Sequence, residues 1–319
     1  MRTQAFLLIN PRSGDDSPTP DEVADAARAL GVEAHLLRTG EDPAALARAA
    51  GTRILGIAGG DGSLAAVAAA ALETDAAFVC VPFGTRNHFA RDVGLDRDDP
   101  LAALPAFVDG IERRVDVGRV GDRLFLNNVS LGIYARLVHR RERRRRRGEA
   151  LARLKALAAV ARHHHTLHAT VDGEPVRARA IFVGNNAYDL SLFTVGAREQ
   201  LDAGELSLWT AAGWLPTSWE QRTGTRFRID TRGARVRAAI DGEPVVLDTP
   251  IEVEIRPRAL RLLVPPERGD DAVHDNPEAT EDEQEQAQTG RYDEEESMRY
   301  PSEGQPDAPD RADEQRAEE

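Results

Sequence analysis

RILGIAGGDGSLAAVAAAALE, residues 53 to 73, holds a short apolar run, a glycine-rich break with one carboxylate, and an alanine-rich stretch of helical period. Such a strand, turn and helix in immediate succession is the building unit of a parallel sheet. The same alternation extends to both sides: AFLLIN (5–10), DEVADAARALG (21–31), EAHLLR (33–38) and DPAALARAAG (42–51) before it, AAFVCVP (76–82) after it. These predict a doubly wound α/β domain over residues 1–113. Sheets of that kind present ligands at the carboxyl ends of their strands, and the unusual residues follow strand ends: Asn10-Pro-Arg-Ser-Gly14, Thr39, Gly59 to Ser63, and Pro82-Phe-Gly-Thr-Arg-Asn87.

From about Arg114 the texture changes to β-branched, arginine-rich runs with Gly and Asp-Gly breaks. A mostly antiparallel β-sandwich is expected over 114–266, interrupted by a basic helix at 134–165. Two Asp-Gly-Glu-Pro sequences, at 172–175 and 241–244, each separate two strand-like runs and are expected as hairpin turns. IEVEIRP and LRLLVP (251–257 and 260–265) stand as two further strand-like runs.

The formal charge is −13, but residues 267 to 319 carry 20 acidic against 5 basic side chains, so the rest of the chain is close to neutral. That tail is too poor in apolar residues to offset the entropy of ordering and is expected to be disordered. Its acidity fits a solubilising appendage. Cys80 is the only cysteine, which excludes an internal disulfide and every zinc site built on paired thiolates, and fits a reducing compartment. The longest late apolar run, Leu64 to Leu72, is far below the roughly 18 residues of a membrane span. Lys155 is the only lysine among 41 basic residues, and no G-x-x-x-x-G-K-[ST] occurs, which excludes P-loop NTPases; Lys155 lies in an arginine-rich helical stretch rather than in a V-A-I-K strand, which excludes protein kinases.

Within GGDGS the glycines let backbone amides approach an anion, and the following helix adds its positive end. Asp61 beside a phosphate implies an intervening magnesium ion or a transferable proton. The alternative is a tight turn with an aspartate cap. Thr85 and Asn87 can likewise cap the next helix or hydrogen-bond phosphate oxygens and a base, and Arg12 and Arg86 are near enough to supply positive charge.

N-P-R-S-G, G-G-D-G-S and P-F-G-T-R-N, in this order on successive strands, resemble the diacylglycerol kinase catalytic family, which includes sphingosine, ceramide and bacterial lipid kinases. The resemblance spans roughly residues 4–265. It implies ATP held by the first domain and a lipid alcohol presented from a cleft between domains. Gly59, Gly60, Asp61, Gly62, Ser63, Leu64 and Ala65 would wrap the phosphates, Thr39 and Thr85 would touch the nucleotide, and Asn10, Ser13 and Asn87 would shape the same pocket. The catalytic set implied is Asp241 as general base, Glu243 beside it near Mg2+, and Asp61. The second Asp-Gly-Glu-Pro is chosen over the first because IEVEIRPRALRLLVP follows it as the family's closing strands do. Independently of the family, phosphoryl transfer requires positioning, charge neutralisation and one carboxylate in reach of the attacking hydroxyl.

The chain departs from the family pattern in four places. His88 stands where aspartate is usual, Ser63 where threonine is, and AYDLSLFTVG (187–196) replaces a glycine-rich stretch. Ala203 occupies the position of a structural-metal carboxylate, leaving Asp202 as its neighbour and the one candidate metal ligand outside the catalytic set.

Residues His139 to His165 place ten Lys or Arg against two Glu, with Leu151, Leu154, Leu157, Ala158 and Ala161 at helical spacing behind the run. Arg143, Arg144, Arg145, Arg146 and Arg147 are the candidate contacts to an anionic membrane surface. Nucleic acid is disfavoured because stacking aromatics are not interleaved, and His163, His164, His165 and His168 lack ligand spacing for a metal. The expectation is a cytoplasmic enzyme, peripheral at the inner face of the membrane, with ATP and Mg2+ as cofactors, a lipid alcohol as substrate and a homodimer as a candidate assembly. Two alternatives stand beside it: a kinase of a soluble acceptor, as in NAD kinases with their own Gly-Gly-Asp-Gly, and a catalytically weak nucleotide-binding regulator at the membrane, which His88 and Ala203 support.

Overall fold

A computed structural model describes residues 4–14, 18–84, 87–132, 166–188, 190–191, 194–195, 198, 200–212 and 219–266 of the 319-residue chain. The expected basic helix with Arg143 to Arg147, Thr85 and Arg86, and the acidic tail lie outside them.

The first part alternates: β1 (Ala5–Ile9), α1 (Pro20–Ala29), β2 (Glu33–Leu36), α2 (Pro43–Ala50), β3 (Ile54–Gly59), α3 (Asp61–Thr74), β4 (Ala77–Pro82), α4 (His88–Asp92), a 3-10 turn (Pro100–Ala103) and α5 (Ala106–Asp109). Strands follow: β5 (Ile111–Val120), β6 (Arg123–Phe125), β7 (Asn128–Gly132), β8 (Leu167–Val171), β9 (Glu174–Ala178), β10 (Ala180–Asn185), β11 (Leu190–Ser191), β12 (Thr194–Val195), β13 (Leu206–Ala211), β14 (Trp219–Gly224), β15 (Arg226–Thr231), β16 (Arg235–Ile240), β17 (Glu243–Asp248) and β18 (Ile251–Val264).

β2, β1, β3 and β4 pair in parallel, in that order. Alternate residues of β1 point to opposite faces and all are buried: Phe6 and Leu8 join the core under α3, while Ala5, Leu7 and Ile9 join the core under α1 and α5. Helices therefore cover both faces of this sheet, as the continuous apolar strands require. Because the strands run parallel, the loops after β1, β2, β3 and β4 leave at one edge.

The helix starts differ in a way that matters. Thr19 and Glu22 form a reciprocal capping box on α1, and the Asp42 side chain caps α2. At α3 the N-cap is Gly60, and no side chain caps it.

The second half is a β-sandwich. One layer is the antiparallel sheet β14-β13-β10-β7-β16-β17, and the other is the continuation of the first sheet through β18, β15, β8 and β9. Val129, Leu131, Ile181, Val183, Leu206 and Leu208 of the former meet Val171, Phe227, Ile229 and Val253 of the latter in one core.

IEVEIRP and LRLLVP form a single strand, β18, rather than two. Leu262 and Leu263 pair in parallel with Phe78 and Val79 of β4, while Ile251 to Glu254 pair antiparallel with β15, and β5 runs along the other side of both segments. The register slips between Arg256 and Leu260. Pro257 has no N–H for the ladder, so the strand bulges there and Arg258 adopts φ 50°. The buried Asp116 carboxylate accepts the Arg258 N–H at 2.7 Å and the Gly204 N–H at 2.6 Å, which fixes the bulge.

Candidate active site

The site forms where the glycine loops of the parallel layer meet the β16–β17 turn. Gly84 sits against Gly60 so closely that a Cβ on Gly84 would lie 2.7 Å from Gly60 Cα, whereas a Cβ on Gly60 would meet nothing within 4 Å. The two loops thus touch backbone to backbone and leave open space over the uncapped start of α3. A helix start with free N–H groups and no competing side chain is suited to an anion. Asn10 Nδ2 donates to Ser63 Oγ at 3.2 Å, tying the loop after β1 to the same helix, and the Arg12 N–H donates to Asn10 Oδ1. Ser13 lies in the same loop, whose Gly14 is packed under the ring of Phe83. The Ser63 and Leu64 N–H groups bond to Gly60 O, and the Leu64 side chain is wholly buried in the core with Ala65 packed against it. Thr39 is exposed on the turn after β2, which Glu41 stabilises by accepting the Arg38 N–H. Asn87 is buried at φ 44° ahead of α4, and its Nδ2 donates to Gly84 O.

Asp61 is the first residue of α3 and reaches across to the start of α4. Its carboxylate accepts the N–H groups of His88 and Phe89, both at 3.3 Å, and Asn127 Nδ2 at 3.1 Å. Asp241 occupies the hairpin turn between β16 and β17, at φ 47° with Gly242 at φ 81°, the paired positive φ values of a type I′ turn. Its side chain is buried and accepts three consecutive backbone N–H groups, of Leu126 (2.8 Å), Asn127 (2.8 Å) and Asn128 (2.9 Å). Burial pushes the Asp241 carboxyl up to about 7 against the pull of those three donors, with the Asp61 charge adding to the rise. Glu243 lies over Gly62, where a Cβ would come 2.7 Å from Glu243 Cγ.

Asp61 and Asp241, read from distant parts of the sequence, are therefore joined through one residue: Asn127 gives its side-chain amide to the first and its backbone N–H to the second. Asp202 is elsewhere, in an ion pair with Arg258 at 2.9 Å. Among the described residues no cluster of three or more His, Cys, Asp or Glu could hold a metal ion, and no helix is long and apolar enough to cross a membrane.

Asn127, Asn185 and Arg198 carry no motif. The sequence signal for the two asparagines is an Asn-Asn pair inside an apolar strand, in RLFLNNVS and again in AIFVGNN. Asn185 Nδ2 donates to Asp116 O and Leu126 O, and Arg198 to Asn127 Oδ1, so the buried amides hold the loop that cradles Asp241.

Fold and site together define an α/β chain in two parts, in which the uncapped glycine-loop start of a helix on the parallel sheet faces a buried turn carboxylate from a β-sandwich. Residues 4–120 match the diacylglycerol kinase catalytic domain. The chain is 38% identical over 138 residues to a Pseudomonas savastanoi protein named "Probable lipid kinase YegS-like", covering 40% of this chain and 44% of that one. It is 34% identical over 84 residues to a Bacillus subtilis protein named "Diacylglycerol kinase", covering 26% and 28%. The chain thus spans less than half the length of these curated relatives. A crystal structure of a diacylglycerol kinase from Bacillus anthracis superposes with a TM-score of 0.63 at 17% identity, over 83% of this chain and 97% of that one, and shows the shared fold.

Proposed function

We propose that this chain is a lipid kinase that transfers the terminal phosphoryl group of ATP to the hydroxyl of a membrane lipid alcohol of the diacylglycerol type. The observation that carries the reading is the junction of Asp61 and Asp241 through Asn127, directly beside the uncapped, open start of α3.

The residues present fit a magnesium nucleotide. Gly60 leaves room for phosphates at the positive end of α3, and no carboxylate cage is needed, because magnesium commonly takes one or two carboxylates and completes its shell with phosphate oxygens and water. Asp61 and Glu243 are the residues that would hold it, and when bound it neutralises charge on the transferring group. The Gly60–Gly62 backbone and Asn10, Ser13 and Asn87 position the nucleotide. Asp241 Oδ1 already accepts two N–H groups and Oδ2 only one, so Oδ2 keeps acceptor capacity for the proton of the attacking hydroxyl. A carboxyl near neutrality suits that exchange. Family names of the relatives supply the lipid as acceptor class, and the arginines at 143–147 supply a dock for an anionic surface, with the enzyme at the cytoplasmic face.

The test is incubation with radiolabelled ATP, magnesium and a panel of membrane lipids. A labelled lipid that is absent with Asp241→Asn is the expected result. Labelled NAD in place of lipid, or bound ATP with no labelled product, overturns it. For docking, binding to vesicles should rise with the fraction of anionic lipid and fall with salt; equal binding to neutral vesicles removes the electrostatic account.

A further inference from the structure

Of the ion pairs among the described residues, Arg198 with Asp92 has both side chains wholly buried. Asp92 ends α4 in the parallel layer, while Arg198 lies between β12 and β13. Arg198 Nε donates to Asp92 Oδ2 at 2.7 Å, Nη1 to Leu126 O at 2.6 Å and to Asn185 O at 3.0 Å, and Nη2 to Asn127 Oδ1 at 3.0 Å. The guanidinium also lies 5.3 Å from the ring centre of Tyr188. One planar cation therefore gathers four oxygens from three segments, a task suited to the fixed fork of arginine and not to lysine.

Two of those oxygens belong to the residues that organise the site. A side-chain amide presents an oxygen on one side and an NH2 on the other. With Arg198 donating to Asn127 Oδ1, the NH2 must face Asp61, which it does at 3.1 Å. Without that donor the amide is free to turn over and present its oxygen to the Asp61 carboxylate, a repulsive arrangement. Buried ion pairs are weak contributors to net stability compared with packed apolar residues, so orientation is what this pair supplies beyond holding α4 in place.

We infer that Arg198 is a positioning residue for the transfer reaction, fixing the Asn127 amide so that Asp61 and Asp241 are held by one element. The kinetic part of this inference rests on the lipid kinase reading; the structural part does not.

The test uses the full chain with Arg198→Met, Arg198→Lys, Asp92→Asn and the double variant Asp92→Asn/Arg198→Met. Hydrogen exchange of the Asn127 side-chain NH2, followed by NMR and assigned through its loss in Asn127→Asp, should accelerate at least about tenfold in Arg198→Met and in the double variant. Each single variant breaks the buried pair, Arg198→Met leaving Asp92 with Arg91 alone at 3.1 Å, so thermal stability falls, and the double variant should regain part of it. The turnover number should nevertheless stay at least about tenfold down in the double variant, with ATP affinity by calorimetry within about threefold of the parent. Unchanged exchange at Asn127, or a turnover number that returns with thermal stability, overturns the inference and leaves the pair a structural tie. Should the double variant not fold, Arg198→Lys decides, with a tenfold loss of turnover expected and parental turnover refuting. If the parent chain phosphorylates no lipid, the lipid kinase reading fails by itself, and amide exchange alone decides the role of Arg198.

Discussion

Asp172 and Asp241 occupy the same Asp-Gly turn, at φ 52° and 47°, and differ only in surroundings. Asp172 is exposed and caps the Arg228 N–H at 2.8 Å; Asp241 is buried against three N–H groups. Both positions tolerate asparagine, which adopts the left-handed region readily. Asp172→Asn should leave activity within about twofold, whereas Asp241→Asn should cost at least about 100-fold in turnover, the range for loss of a general base, as steady-state assays of the two will show. The Asp241 carboxyl is raised from 3.8 to about 7 on folding. Its protonated form is therefore favoured in the folded chain, so the stability it contributes is complete below about pH 4 and is lost as pH rises to about 7. Denaturant titrations across that window should show this decline in the parent and its absence in Asp241→Asn. That both turns would form was legible, because positive φ at two successive residues selects Asp-Gly. That Asp241 is the one proposed as base was legible only through the family resemblance, since it is buried against residues 126–128, more than a hundred positions away.

Among the described helices of eight residues or more, α3 is the one whose start no side chain caps. Thr19 and Asp42 announce their helices by capping them, and Gly60 does not, which is what leaves α3 available for an anion. Two alanine substitutions separate packing from binding here. Gly84→Ala places a methyl against Gly60 backbone, which cannot give way as a side-chain tip would, and should destabilise by about 1–3 kcal/mol. Gly60→Ala meets nothing and keeps an ordinary φ of −88°, so its melting temperature should stay near parental while KM for ATP rises severalfold. Equal effects in calorimetry and kinetics for the two would refute the assignment of the open space to phosphates. The strand that the sequence misjudged is β18. Pro257 interrupts the apolar alternation and reads as an end, because a proline removes a ladder bond; Asp116, buried on a neighbouring strand, accepts the displaced Arg258 N–H and lets the strand continue. Arg198 was illegible for the same kind of reason, its four acceptors coming from parts of the chain with no fixed spacing to it.

At the scale of the molecule, the described core closes with Leu260, Leu262 and Val264 of β18. A chain stopped after Pro266 should keep its melting temperature within a few degrees, and one stopped after Ala259 should not fold cooperatively, by circular dichroism and calorimetry. The class of fold was visible from the alternation of periods alone, and so was the change of texture near residue 114. What the periods did not reveal is that the parallel sheet and one layer of the sandwich share a strand, with β18 lying beside β4 at one end and β15 at the other. On the ribosome this has a consequence. The flank of β4 is synthesised long before its neighbour, and it remains an unpaired, apolar edge while everything from residue 83 to 259 emerges. The sheet that runs from β2 to β9 cannot be completed cotranslationally until this last strand is released, so nascent chains of this protein present a sticky edge throughout synthesis and should be clients for chaperones that shield such edges.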